Sequence, residues 1–476
     1  MMPNASATSP QDTVELALAA GAGRGEIIAI AEERSSVNLR WAGNTLTTNG
    51  VTSTRSLKVI AIDRRADGTC GVGVVARSDV RPAQIEDLVR EAGKASSAAP
   101  PAEDADELPA HVGSISTSSW DDIPAGTEVG ALREFTAELG ATLDAAKGAG
   151  RAMYGFAEHT VTSTFLGTSA GVRLRHDQPT GRLELNAKSP DFARSAWAGV
   201  TTRDFSDVDI ASLDASLAQR LSWQSRKVEL PAGRYETLLP ATAVADLMVN
   251  LYWSAGAREA AEGRTVFGKP GGGTRVGERL ATQPVTLFSD PAHPGLECRP
   301  FVVGQASGAD SSVFDNGMPA GRASWISSGV LSALPSSRYS ATLAGLPVTP
   351  AVDNLVLAAP SPDGGVLPSL EQMIASTKRG LLLTCLWYIR KVDLRTLLLT
   401  GLTRDGVYLV EDGEVVGAVN NFRFNESPVG MLGRLLEVGA TEDRTLPREW
   451  SDDFTRCAMP PLRVEAFNMS SVSHAS

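Results

Sequence analysis

The sequence predicts an α+β protein, with an N-terminal α+β region followed by a β-rich C-terminal domain. Three observations carry that expectation. EIIAIAEE, SVNLRWAG and SLKVIAID alternate or run apolar as strands do, while DVRPAQIEDLVREAGKASSAA repeats its apolar residues at helical spacing. Asn-Gly and Asp-Gly pairs punctuate the chain where tight turns would join such runs. Beyond Pro231 the strand-like runs become dense and short, with one long helical pattern among them.

Residues 1–23 are expected to form a disordered tail and a first helix, the latter over 12–20. Residues 24–100 then make an N-terminal α+β domain. Its three short strands turn at Asn49-Gly50 and Asp67-Gly68, and a helix closes it with Ile85, Leu88, Val89 and Ala92 on one face. The stretch 96–109, SSAAPPAEDADELP, mixes small residues, prolines and acids as exposed linkers do, which sets a boundary there. A central α+β domain over 101–228 contains a helix at 129–147, an antiparallel meander and a helix at 212–227. MYGFAEHTVTSTFL, GVRLRHDQ and GRLELNAK are the strands of that meander. The β-rich domain spans 229–476, with a helix over 241–258 and a buried strand in the apolar run 380–389. Its expected turns are Asn316-Gly317, Asp363-Gly364, Asp405-Gly406 and Asp412-Gly413.

A chain of 476 residues with 42% hydrophobic composition can build two or three cores of ordinary size. Its net charge of -11 and pI near 5.1 argue against direct nucleic-acid binding, which needs clustered Lys and Arg to release counterions. Cys70, Cys298, Cys385 and Cys457 are scattered without a disulfide framework, as suits a reducing, cytoplasmic setting. The N-terminus does not read as a secretory signal, and the most apolar run is far short of the ~20 residues of a membrane-spanning helix. No membrane partner is expected.

Candidate chemistry is sparse. Five histidines exist, His111, His159, His176, His293 and His474. His159 and His176 lie on consecutive predicted strands and would face each other if the hairpin centred between Gly167 and Thr168, although a one-residue slip would separate them. No third ligand is evident, so both read as ordinary strand residues. Gly167-Thr168-Ser169-Ala170-Gly171 matches the nucleophile-elbow pattern, but a strand follows Ser169 where that motif requires a helix. The run 268–273, GKPGGG, places its lysine before the glycines and reads as a loop instead of a phosphate cradle. Asn420, Asn421, Arg423 and Asn425 concentrate amide and charged groups at a strand end, where they could hold an extended peptide; a solvated strand edge is the other reading.

The run 380–428, GLLLTCLWYIRKVDLRTLLLTGLTRDGVYLVEDGEVVGAVNNFRFNESP, together with LRVEAFNMSSVSHAS at the end and NLRWAGNTLTTNGV near the start, resembles the TldD/PmbA peptidase family in its order of elements. The resemblance covers the chain from about Arg24 to Ser476 and is closest to the PmbA (TldE) branch. The TldD branch carries a zinc-binding His-Glu-x-x-x-His helix. Aligning Thr265-Val266-Phe267 with the family's small-Val-Phe run puts Met248, Val249 and Trp253 at the His, Glu and His positions. A thioether, an isopropyl group and an indole offer neither a zinc site nor a general base. Cys457 lies only five residues before Leu462, closer than the family's ligand cysteine, and reads as structural.

What the resemblance implies is a non-catalytic subunit of a zinc metallopeptidase heterodimer. This chain would hold no cofactor, a TldD-type partner would supply zinc and general base, and unfolded or precursor peptides would be the substrates. Family members have been described as modulators of DNA gyrase and as degrading some antitoxins. The alternative is a stand-alone homodimeric peptide-binding protein without proteolytic activity.

Overall fold

A computed structural model describes residues 8–110, 115–116, 118–361 and 364–473. His111, His474, Asp363 and the first seven residues of the expected tail lie outside the described residues. Helix α1 (Pro10–Gly21) opens on Ser9, whose hydroxyl accepts a hydrogen bond from the Asp12 amide. Strand β1 (Glu26–Ala42) then pairs with β2 (Thr45–Arg64) over nearly its whole length. EIIAIAEE and SVNLRWAG are thus one strand. The hairpin turns at Gly43 and Asn44, both at positive φ, 59° and 64°, as a tight turn between twisted strands demands. Asn49-Gly50, the expected turn, instead lies inside β2 opposite Leu39 and Asn38.

Strand β3 (Cys70–Ser78) follows the Asp67-Gly68 turn, and α2 (Pro82–Ala98) packs on it with Ile85, Leu88, Val89 and Ala92 buried, the face read from the sequence. Gly73 permits this contact, because a Cβ there would stand 2.2 Å from the Ala92 carbonyl oxygen. Helix α3 (Arg133–Gly148), strands β4 (Ala152–Thr168), β5 (Arg173–Lys188) and β6 (Ser195–Thr202), and helix α4 (Ile210–Trp223) come next. GVRLRHDQ and GRLELNAK are joined in β5 straight through Pro179. That is tolerated because β6 pairs with β5 only from Gly181 onward, so the proline removes no bond on that side.

β1 pairs with β4 from Ile28↔Thr168 to Trp41↔Gly155, so a single sheet crosses the boundary expected near residue 100. Among the described residues this sheet has twelve strands in the order β3-β2-β1-β4-β5-β6, continuing into Glu442–Thr445, Cys457–Met459, Leu355–Ala358, Thr286–Ser289, Ala323–Ser327 and Val330–Leu331. Strands from all three expected units therefore share one hydrogen-bonded surface. A second sheet of ten strands is built around Gly233–Leu239, which lies between Leu462–Val472 and Arg379–Leu383. The apolar run 380–389 is divided between Arg379–Leu383 and Leu386–Asp393. The break falls at Thr384, whose amide turns to the Gly406 carbonyl at 2.8 Å.

Helix α5 (Ala241–Trp253) shares one apolar cluster with strands of both sheets, including Leu287 and Leu357 from the first and Leu381 and Phe467 from the second. Every residue from Ala243 to Tyr252 is buried, so the helix is enclosed all round, not on a single stripe. It ends sooner than the pattern predicts. Ser254 turns its hydroxyl back to the Asn250 carbonyl, and a Cβ at Gly256 would collide with Asp310 Oδ1 at 2.1 Å; α6 (Ala257–Ala261) follows as a separate short helix.

Candidate functional site

The positions aligned with a metal motif lie on α5. Met248 and Val249 are both 0% exposed and belong to the central apolar cluster, so neither faces a space that a metal-bound water could occupy. Trp253 reaches the helix end and packs edge-on against Trp450 and Phe454, with ring centres 5.3 Å and 6.2 Å away. Among the described residues no group of three His, Cys, Asp or Glu side chains is placed to hold a metal ion. These residues do not fit zinc. Cys457, on Cys457–Met459, is fully buried, and burial raises its pKa, which disfavours the thiolate that a metal would need.

Sequence reading missed Asp246, two residues before Met248. It is 0% exposed; Oδ1 accepts from the Glu449 amide at 2.8 Å, while Oδ2 is buried without a partner. Burial pushes its pKa well above the usual carboxylate range, so the neutral acid is favoured. The signal was present as an acid inside the apolar run ATAVADLMVNLYW.

A polar surface lies nearby. In the sheet register Glu32, Thr164 and His176 form one row across β1, β4 and β5; Arg34, Thr162 and Gln178 form the next, and Ser36, Thr160 and Thr180 a third. Alternation puts these side chains on one face while Val37, Leu39 and Ala157 enter the core on the other. A cleft of about 310 Å³ opens over the rows and continues into one of about 540 Å³, the two sharing His176, Gln178, Thr180 and Arg456. Trp450 and Phe454, the residues packed on Trp253, flank the segment that supplies Ser451, Asp452 and Asp453 to the smaller cleft. The period-two spacing of polar residues in β1, β4 and β5 was legible, but strand reading alone does not say which face is left uncovered.

Asn420 and Asn421 line a separate cleft of about 470 Å³, beside Lys227 and Tyr408. Asn420 Oδ1 accepts from the Leu230 amide at 2.7 Å. Arg423 and Asn425 are not brought to that cleft. They lie on Phe422–Glu426, an interior strand paired with Leu398–Thr403 on one side and Leu462–Val472 on the other, so its backbone has no free edge for an added peptide strand. Arg423 donates to Thr400 Oγ1 at 3.3 Å.

The remaining candidates separate. His159 pairs with Gly181 and His176 with Thr164, so the register centres nearer Ala170 than supposed and the two histidines occupy opposite faces. His159 is held between Thr127 Oγ1 at 2.6 Å and the Arg203 carbonyl at 2.8 Å; burial lowers the pKa of both histidines. Ser169 sits in the β4–β5 turn, where its hydroxyl accepts from the Ile27 amide at 3.0 Å. In the glycine run, the Lys269 amide donates to the Gly273 carbonyl at 2.9 Å, which closes a loop.

A model of the PmbA/TldA metallopeptidase C-terminal domain matches residues 232–471. Among solved structures, TldE from Thermococcus kodakarensis superposes with a TM-score of 0.76 at 17% identity, covering 96% of this chain and 99% of that one. A proposed modulator of a DNA gyrase from Thermotoga maritima gives 0.75 at 16% identity, with the same coverage of both chains. A proposed modulator of DNA gyrase from Bacteroides thetaiotaomicron gives 0.71 at 14% identity, over 97% of this chain and 99% of that one. At these identities the likeness concerns the fold. No curated protein matches the sequence at a significant level.

Proposed function

The chain belongs to the PmbA/TldD family, and from that premise we propose that it is a TldE-like, non-catalytic subunit of a zinc metallopeptidase heterodimer. Its partner is a TldD-type subunit that supplies both the zinc and the general base. The substrates are unfolded or precursor peptides. The observation that carries this reading is the sealing of Met248 and Val249 at 0% exposure, with an indole at the third motif position. No step of peptide hydrolysis can be assigned to those side chains, since none accepts a proton or ligates a hard cation.

The role left to this chain is to hold and admit peptide. The polar face of β1, β4 and β5 supports that role with hydroxyl, amide and charged groups that can bond an extended backbone. Asn420 and Asn421 are the second candidates, through the cleft they line, and Arg423 and Asn425 can act only by their side chains. Co-expression with a TldD-type subunit tests the reading: the two should co-purify and digest an unfolded peptide that neither digests alone. A stable homodimer that ignores that subunit, yet binds peptides, would favour the stand-alone binding protein.

A further inference from the structure

Most charged groups on the polar face are paired within the protein, Arg182 with Glu158 and Asp452, and Arg456 with Asp353. Arg34, which is exposed, and Arg299, which is half-buried, have no such ion pair among the described residues, and Arg299 is the one held in place. Its Nε donates to the Phe301 carbonyl at 3.1 Å, and the guanidinium carbon lies 6.0 Å from the centre of the Phe301 ring. Its two Nη groups form no hydrogen bond or ion pair among the described residues. The charges that act on it are Asp353, already engaged by Arg456, and Glu32, which lies beyond ion-pair distance, with Arg456 opposing them. In the same cleft Thr160, 7% exposed, has a buried hydroxyl oxygen without a partner.

Arg299 is half-buried, and its Nη groups, unpaired among the described residues, are not among the sealed polar atoms, so they stay accessible to a ligand in the cleft. Tying Nε to the backbone fixes the plane of the fork and leaves the paired Nη groups for a ligand, the geometry that matches a carboxylate with two parallel hydrogen bonds. The volume of about 310 Å³ is in the range of small-ligand pockets. We propose that this cleft holds a carboxylate of an extended peptide, with Arg299 as its cationic anchor and the Thr160 hydroxyl as a further hydrogen-bonding group. The proposal rests on the peptide-handling reading above and names what part of the peptide is gripped.

Fluorescence anisotropy on the full chain tests it, using a short fluorescein-labelled peptide of alternating serine and alanine as the free acid, as its C-terminal amide, and as that amide with one internal aspartate. The free acid or the aspartate peptide should bind about tenfold more tightly than the plain amide, and which of them does so identifies the source of the carboxylate. Arg299→Ala should erase the preference, and Glu32→Gln should strengthen it by removing a nearby negative charge that repels an incoming carboxylate. Equal binding of all three peptides, or no binding of any, overturns the subsite. So does a preference that survives Arg299→Ala; if that variant does not fold, an unchanged preference in Glu32→Gln overturns it. Digestion of the same peptides by the two-subunit complex reads the wider proposal separately, since it can succeed where the carboxylate preference fails.

Discussion

Helix α5 and the polar face of β1, β4 and β5 dispose of their side chains in opposite ways. Along α5 almost every position is sealed, and its polar members turn inward: Asn250 donates to the Asp246 carbonyl and Ser254 to that of Asn250. On the sheet face, rows of threonine, glutamine and charged residues line open clefts. The first region is packed throughout and the second is left open. The difference teaches that the sealing of Met248 and Val249 is a property of the whole helix environment, so replacing side chains one by one would not open a metal site there.

The sharpest attempt to break that contrast is the triple variant Met248→His, Val249→Glu, Trp253→His. Because Met248 and Val249 are fully buried, it should lose about 4 kcal/mol or more of stability in urea unfolding and gain no peptidase activity. A folded variant that binds zinc and cleaves peptide would show that α5 is an adaptable site.

A smaller effect is expected from Asp246→Asn. Burial raises the Asp246 pKa in the folded state, so the native protein holds this proton more tightly than the unfolded chain does. Its contribution is therefore full below the unfolded value near 3.8 and is lost as pH rises towards the raised folded pKa. Urea unfolding from pH 4 to 8 should show this decline in the wild type and a flatter profile in the asparagine variant. Identical profiles would mean that the carboxylate is paired after all.

The smallest change belongs to the polar face. Thr162→Ala, at a half-buried position on the cleft side of β4, should alter stability by no more than ~0.5 kcal/mol, because it removes neither packing nor a buried partner. A loss above ~2 kcal/mol would show that this face is packed like a core.

Much of the architecture was legible where one signal dominates. The α2 face and the Asp67-Gly68 turn follow from periodicity and turn chemistry. Other features depended on competition between local signals. Asn49-Gly50 looked like the better turn, yet the Gly43-Asn44 pair already turns the hairpin and the register then carries Gly50 opposite Asn38. One sheet crosses the boundary expected near residue 100, because β1 pairs with a strand more than a hundred residues later, which no linker composition reveals. For the candidate site, Met248, Val249 and Trp253 could be named from sequence. The cleft around Arg299 could not, because it assembles residues from β1, β4, β5 and loops far along the chain.

The central claim is that this chain brings no zinc of its own to the proposed heterodimer. Elemental analysis of the purified full-length chain, alongside its complex with a TldD-type subunit, tests it most directly. The account predicts no stoichiometric zinc and no peptide cleavage by the chain alone, with about one zinc per heterodimer in the active complex. Tightly held zinc near one equivalent per isolated chain, accompanied by peptide cleavage, would contradict it.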